Sequence, residues 1–138
     1  MEINNKKEGI ILENLILASI DGLFYMSETD APFTIFKGET TKELDLKFLK
    51  KSLKISNLKS FEEVGFELFF EKLISEKDWF GENEKKRMKR FIDLKNNLQD
   101  NLKDLKVFRF GKIKIDIFIV GLDNESKIFG IKTNSVET

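Results

Sequence analysis

Apolar residues recur at three-to-four spacing in three parts of this chain and at two-residue spacing in a fourth. Between Ile10 and Leu23, the residues Leu12, Leu15, Ile16, Ser19 and Ile20 fall on one stripe, which predicts a first helix closed by Gly22. Between Glu82 and Leu105, Met88, Phe91, Ile92, Leu98, Leu102 and Leu105 form an apolar stripe. Lys, Arg, Asn and Gln cover its other side, as on an amphipathic helix. Lys42 to Ser52 carries Leu44, Phe48 and Leu49 at helical spacing. Near the end, Ile113, Ile115, Ile117 and Ile119 alternate with Lys112, Lys114, Asp116, Phe118 and Val120. That is a strand whose second face turns apolar at Phe118, passing from half-covered to fully covered.

The remaining segments fill in the order. Tyr25 to Phe33 reads as a connection. Ser27, Thr29 and Asp30 can each bond nearby backbone, and Pro32 blocks helix. Phe33 to Lys37 is a short strand candidate closed by Gly38. Gly65 divides Phe61–Ser75 into a strand at 61–64 and a helix at 66–75, in preference to one helix capped by Ser60 and Glu63. Val107 to Phe110 is a strand turned by Gly111, and after a turn at Asp123–Asn124 the chain returns as a last strand from Lys127 to Val136. Helices interspersed with strands, and a sheet partly buried on both faces, predict a layered α-β-α domain. One domain over residues 1–138 is the expectation, because there is no repeat, no low-complexity tract and no linker.

Composition narrows the chemistry. No Cys and no His occur, which removes disulfides, thiol nucleophiles, the commonest general base and the commonest transition-metal ligand. A Ser-His-Asp or Cys-His arrangement is impossible. No phosphate-binding loop or dinucleotide fingerprint appears among the scattered glycines. Paired carboxylates remain available, but 24 acidic residues make such pairs expected by chance, and none stands out. These points disfavour an enzyme, and no cofactor is expected.

The 24 acidic residues are balanced by 24 basic ones, so nothing draws the chain generally toward nucleic acid or acidic membranes. The basic residues are nearly all Lys; Arg occurs only at 87, 90 and 109, which reads as solvation rather than phosphate gripping. Lys85, Lys86, Arg87, Lys89 and Arg90 do cluster near Trp79 and Phe91. The aromatics, however, lie on the apolar stripe and not among the lysines as stacking platforms. The polar start, Met1 to Gly9, lacks a signal-peptide pattern, and no apolar run spans a bilayer. A cytoplasmic location without membrane attachment is the expectation.

Three stretches in order carry a family resemblance. The first is Asp21-Gly22-Leu23-Phe24-Tyr25-Met26-Ser27-Glu28-Thr29-Asp30-Ala31-Pro32-Phe33, in which the Asp-Gly-Leu and Met-Ser-Glu elements keep their spacing to Pro-Phe. The second is Asp78-Trp79-Phe80 ahead of a long charged helix, and the third is Val136-Glu137-Thr138 after a strand pair that starts near Val107. From about Ile11 to Thr138 the sequence resembles the nuclease A inhibitor family, small proteins that block sugar-non-specific nucleases. The resemblance implies a three-layer α-β-α sandwich with a mixed sheet, similar to the pathogenesis-related-protein fold. It implies a Mg²⁺-dependent nuclease as the protein partner, with Glu28, Trp79, Glu137 and Thr138 as the partner-binding residues. The terminal carboxylate of Thr138 would reach the partner's catalytic Mg²⁺ within the complex.

Chemistry makes that arrangement sensible. A nuclease site holds a phosphodiester against Mg²⁺, and a carboxylate is a hard anionic oxygen ligand able to replace a phosphate oxygen. A chain end is thin enough to enter a cleft closed to a folded body. Glu28 lies in a turn, where a side chain can project, and Trp is favoured as an interface anchor. A neutral chain gives up long-range steering toward a basic groove, so association would be slower. Two other readings stand beside this one: a module of the same fold with a different protein partner, and a nucleic-acid-binding domain using the Lys-rich helix.

Overall fold

The computed structural model describes residues 2–53 and 60–138. Helix α1 (Glu2–Ile20) leads into a hairpin of β1 (Phe24–Met26) and β2 (Asp30–Pro32), then β3 (Thr34–Thr40) and α2 (Leu46–Ser52). After β4 (Phe61–Val64) come α3 (Phe66–Ile74) and α4 (Glu82–Asn101). The chain closes with β5 (Lys103–Phe110), β6 (Lys114–Leu122) and β7 (Lys127–Val136). The main sheet has the order β3-β7-β6-β5-β4. Every neighbouring pair in it is antiparallel, where the resemblance implied a mixed sheet. The cause is connectivity: β5, β6 and β7 are successive hairpin strands joined by tight turns, and tight turns reverse the chain.

Period-two alternation sends the two faces of this sheet into separate cores. One face carries Val107, Ile115, Ile117, Ile119, Phe129 and Ile131 against α1, α3 and α4. The other carries Phe108, Phe110, Phe118, Val120, Leu122 and Ile128 against Leu44 and Leu49 from the α2 region. Three layers result, helices over both faces of one sheet. The half-covered to fully covered reading of β6 holds: Lys114 and Asp116 are exposed on the face where Phe118, Val120 and Leu122 are buried. Ile113, expected within the strand, instead stands exposed in the turn before it. The long-helix stripe holds at Phe91 and Leu98, the buried Leu94 lies outside the expected set, and Leu105 belongs to β5. The helix ends at Leu102, Asp104 takes a positive φ of 56°, and the chain turns into the sheet.

Two glycines shape the strand and helix ends. Gly22 has φ 69°, the left-handed conformation that closes α1. Arg90 Nη2 then donates to the carbonyl oxygens of Ser19 and Asp21 at 3.0 and 2.6 Å. A cation thus meets the negative end of the helix and satisfies acceptors the helix leaves open. Gly111 has φ 109° in the β5–β6 turn, and a Cβ there would lie 2.2 Å from the Lys114 carbonyl oxygen. Gly38 does not end β3 as expected. The strand continues to Thr40 through a register irregularity, and the glycine makes room for Ile128, whose Cβ would sit 2.8 Å from an added Cβ. Among the described residues no helix is long and apolar enough to cross a membrane.

Candidate functional site

The segment from Tyr25 to Phe33 is not the plain connection its composition predicts. Phe24 pairs with Pro32, Tyr25 with Ala31 and Met26 with Asp30, making a short hairpin whose turn is Ser27–Glu28–Thr29. Of the three expected turn residues, Ser27 bonds nearby backbone through its side chain. Ser27 N–H and Oγ both donate to the Thr29 carbonyl oxygen at 3.0 Å. A hairpin of three-residue strands is marginal alone, so its stability comes from what it packs on. Tyr25 is half-buried, stacked on Phe69 of α3 at 5.8 Å with an interplanar angle of 8° and edge-on to Phe33 at 6.3 Å. Ala31 is buried, and the buried Thr133 hydroxyl of β7 donates to the Pro32 carbonyl oxygen at 3.0 Å. The hairpin therefore lies over the end of β7, where the apolar pattern alone gave no reason to place it.

This docking brings the first and third sequence motifs together. Val136 N–H donates to Ser27 Oγ at 3.1 Å, and Glu28 N–H donates to the Val136 carbonyl oxygen at 3.3 Å. Glu28 Oε1 accepts from both the Thr138 hydroxyl, at 2.5 Å, and the Thr138 N–H, at 3.3 Å. Both residues are exposed. Two residues 110 apart in sequence thus form one projecting, oxygen-rich tip. Met26 and Ile113, exposed apolar side chains, occur beside it: Met26 ends β1, and the Ile113 carbonyl oxygen accepts Glu137 N–H at 2.9 Å.

Glu137 is exposed, but its carboxylate folds back onto β5 and β7. Its Oε2 accepts from Arg109 Nη2 at 2.5 Å and from Ser135 Oγ at 2.6 Å. The hydrogen bond and charge of Arg109, with the Ser135 hydroxyl, hold its carboxyl below the usual carboxylate range. Burial works against the Arg109 charge, but the bonded Glu137 raises that guanidinium's pKa still further. Tyr25 lies beside the pair, its hydroxyl pushed up chiefly by burial.

Trp79 is separate from this network. It is 71% exposed and packs edge-on against Phe80 at 4.8 Å, just before α4. Among the described residues no hydrogen bond or ring contact joins it to Glu28 or Thr138. So large an exposed indole has no share in the core and is free to contact another molecule. The basic cluster of α4 is partly spent inside the protein: Arg90 serves α1, and Lys85 lies 3.7 Å from Glu76. Phe91 is buried.

Sequence reasoning gave no site role to Arg109, Ser135 and Tyr25, and read Ser27 only as a local turn residue. Only Arg109 carried a signal that could have been used, namely a charge set between Phe108 and Phe110 in the apolar stretch that starts at Val107. The role of the others depends on contacts made from β1 to β7, which no local pattern records.

A family model described as nuclease A inhibitor-like protein matches residues 11–138. No curated protein matches the sequence.

Proposed function

We propose, from the premise that this chain belongs to the nuclease A inhibitor-like family, that it inhibits a Mg²⁺-dependent, sugar-non-specific endonuclease by occluding the active site. In this reading the terminal carboxylate of Thr138 takes the place of a phosphate oxygen at the nuclease Mg²⁺, and Glu28 supplies a second anionic contact. Trp79, apart from them, supplies a second, apolar anchor. Glu137, grouped with the contacts by resemblance, serves the interface by holding the chain end.

The observation that supports this best is the Glu28–Thr138 pair. A surface carboxylate and the last residue of the sequence meet at an exposed tip, bound to each other. Such a tip can enter a cleft ahead of the body. The exposed Met26 and Ile113 around it supply apolar surface able to exclude water from a charged contact.

The test is a titration of the purified, untagged protein against a Mg²⁺-dependent non-specific nuclease, followed by plasmid cleavage. Stoichiometric loss of cleavage is expected. Glu28→Ala should weaken inhibition by about 2–5 kcal/mol, the cost of truncating one partner of a desolvated charged contact. An unchanged inhibition constant would remove Glu28 from the interface. Full cleavage at saturating wild-type protein would remove the inhibitor reading and leave a module with another protein partner.

A further inference from the structure

The geometry points to Arg109 as a positioning residue that aims the end of β7, a role that rests on the inhibitor reading for its purpose but is measurable in the free protein. A charged side chain one residue from the end of β5 is out of keeping with its neighbours, since Val107, Phe108 and Phe110 are all buried. Alternation turns Arg109 to the same face as Val107, toward the core under α1, α3 and α4. Its side chain is only 20% exposed, and its Nε is buried with no hydrogen-bond partner among the described residues. Leaving a buried donor unpaired is costly, so the arginine needs a compensating contact.

That contact is Glu137. In the strand order β6 lies between β5 and β7, so the Arg109–Glu137 pair reaches over a whole strand and ties the end of β7 to β5. Ser135 Oγ donates to the same carboxylate oxygen. The Glu137 N–H is fixed separately on the Ile113 carbonyl oxygen. The two groups are also flanked by further charge and polarity: Tyr25 from the hairpin, Glu62 opposite Arg109 on β4, and Lys72 from α3 toward Glu137. The Glu137 carboxylate is thus engaged within the protein although partly exposed, and Thr138 beyond it meets Glu28.

A chain end normally frays. Here the penultimate residue is held by its backbone and by its side chain, which leaves one residue whose direction is set. Ordering one backbone residue in advance corresponds to roughly a tenfold gain in a binding constant. Arg109 supplies that gain by pre-organisation without touching the partner.

The experiment combines ¹⁵N relaxation of the free protein with inhibition of a Mg²⁺-dependent nuclease, for wild type, Arg109→Met and Arg109→Lys. In wild type the Thr138 amide should be ordered. In Arg109→Met its order parameter should fall below about 0.6, while the β6 amides stay near the rigid value of about 0.85. Inhibition should weaken about tenfold, with partial recovery in Arg109→Lys. A Thr138 amide that stays rigid in Arg109→Met overturns the proposal, even if inhibition is lost, since Arg109 would then be a direct contact. Loss of order with full inhibition overturns it too, because the aimed end would serve no purpose. If wild type itself does not inhibit, the inhibitor reading fails and relaxation alone decides the positioning role. If Arg109→Met does not fold, Glu137→Gln breaks the same pair from its exposed side and is expected to release Thr138 in the same way. A rigid Thr138 there overturns the proposal.

Discussion

Tyr25→Ala tests whether the hairpin carrying Glu28 is held in place by its ring. An aromatic side chain buries about 150–250 Å² when fully covered, and Tyr25 is half-buried, so removing it loses roughly 100 Å² of contact. At about 25 cal/mol per Å² that is ~2.5 kcal/mol. The stacked arrangement on Phe69 and the edge contact with Phe33 bring the total to ~3 kcal/mol, because aromatic pairs contribute about 0.5–1.5 kcal/mol beyond their area. For a chain between the small and mid-sized classes, each kcal/mol moves Tm by roughly 3–5 °C. Thermal unfolding followed by circular dichroism should therefore show a fall of about 10 °C, with the same ~3 kcal/mol from urea titration. Tyr25→Phe keeps both ring contacts and should stay within ~0.5 kcal/mol of wild type. The functional readout follows from geometry. Once Tyr25 is gone, Ser27 and Glu28 no longer sit fixed beside Val136 and Thr138, so inhibition should weaken at temperatures where the variant is still folded. A Tyr25→Ala protein within 0.5 kcal/mol of wild type would refute the reasoning that the ring anchors the hairpin.

Two further outcomes follow from the same coordinates. Gly111→Ala places a Cβ 2.2 Å from the Lys114 carbonyl oxygen at a φ of 109°; a loss of at least ~2 kcal/mol is expected in urea unfolding, and wild-type stability would contradict the turn geometry. The Glu137 carboxyl is depressed in the folded state below its ordinary 4.5 by Arg109 and Ser135. Its contribution is therefore complete above pH 4.5 and is lost as pH falls through the lowered folded value. Acid titration of stability should consequently be shallower below pH 4.5 in Glu137→Gln than in wild type, and identical slopes would count against the bond.

Much of the architecture was legible in the amino-acid pattern because most elements carry their own periodicity. The Lys127–Val136 strand, the break at Gly65 and the covering of β6 from Phe118 onward all follow from local spacing. The misreadings share one cause, a local pattern overruled by distant contacts. Leu102 and Leu105 continue the helical stripe, yet pairing with β6 draws the chain into β5 after Asn101. Leu15 falls on the α1 stripe but is 39% exposed, since the helix passes the sheet with Ile16 and Ile20 inward. Tyr25 to Phe33 has turn residues enough to read as a loop, and its strands exist because β7 and α3 support them. The site divides in the same way. Glu28, Trp79 and Thr138 were named from motif order, and the structure joins the first and last of these. That Arg109 and Ser135 hold Glu137 could not be read from the sequence, because β5 and the end of β7 are separated by β6.

The inhibitor reading depends most on a free α-carboxylate at Thr138. Its most direct measurement is the inhibition constant toward a Mg²⁺-dependent non-specific nuclease for the chain ending at Thr138 and for the same chain extended by a few residues beyond it. The extended protein should keep its unfolding midpoint and lose inhibition by at least a hundredfold, about 2.7 kcal/mol. Equal inhibition by the two proteins would contradict the account.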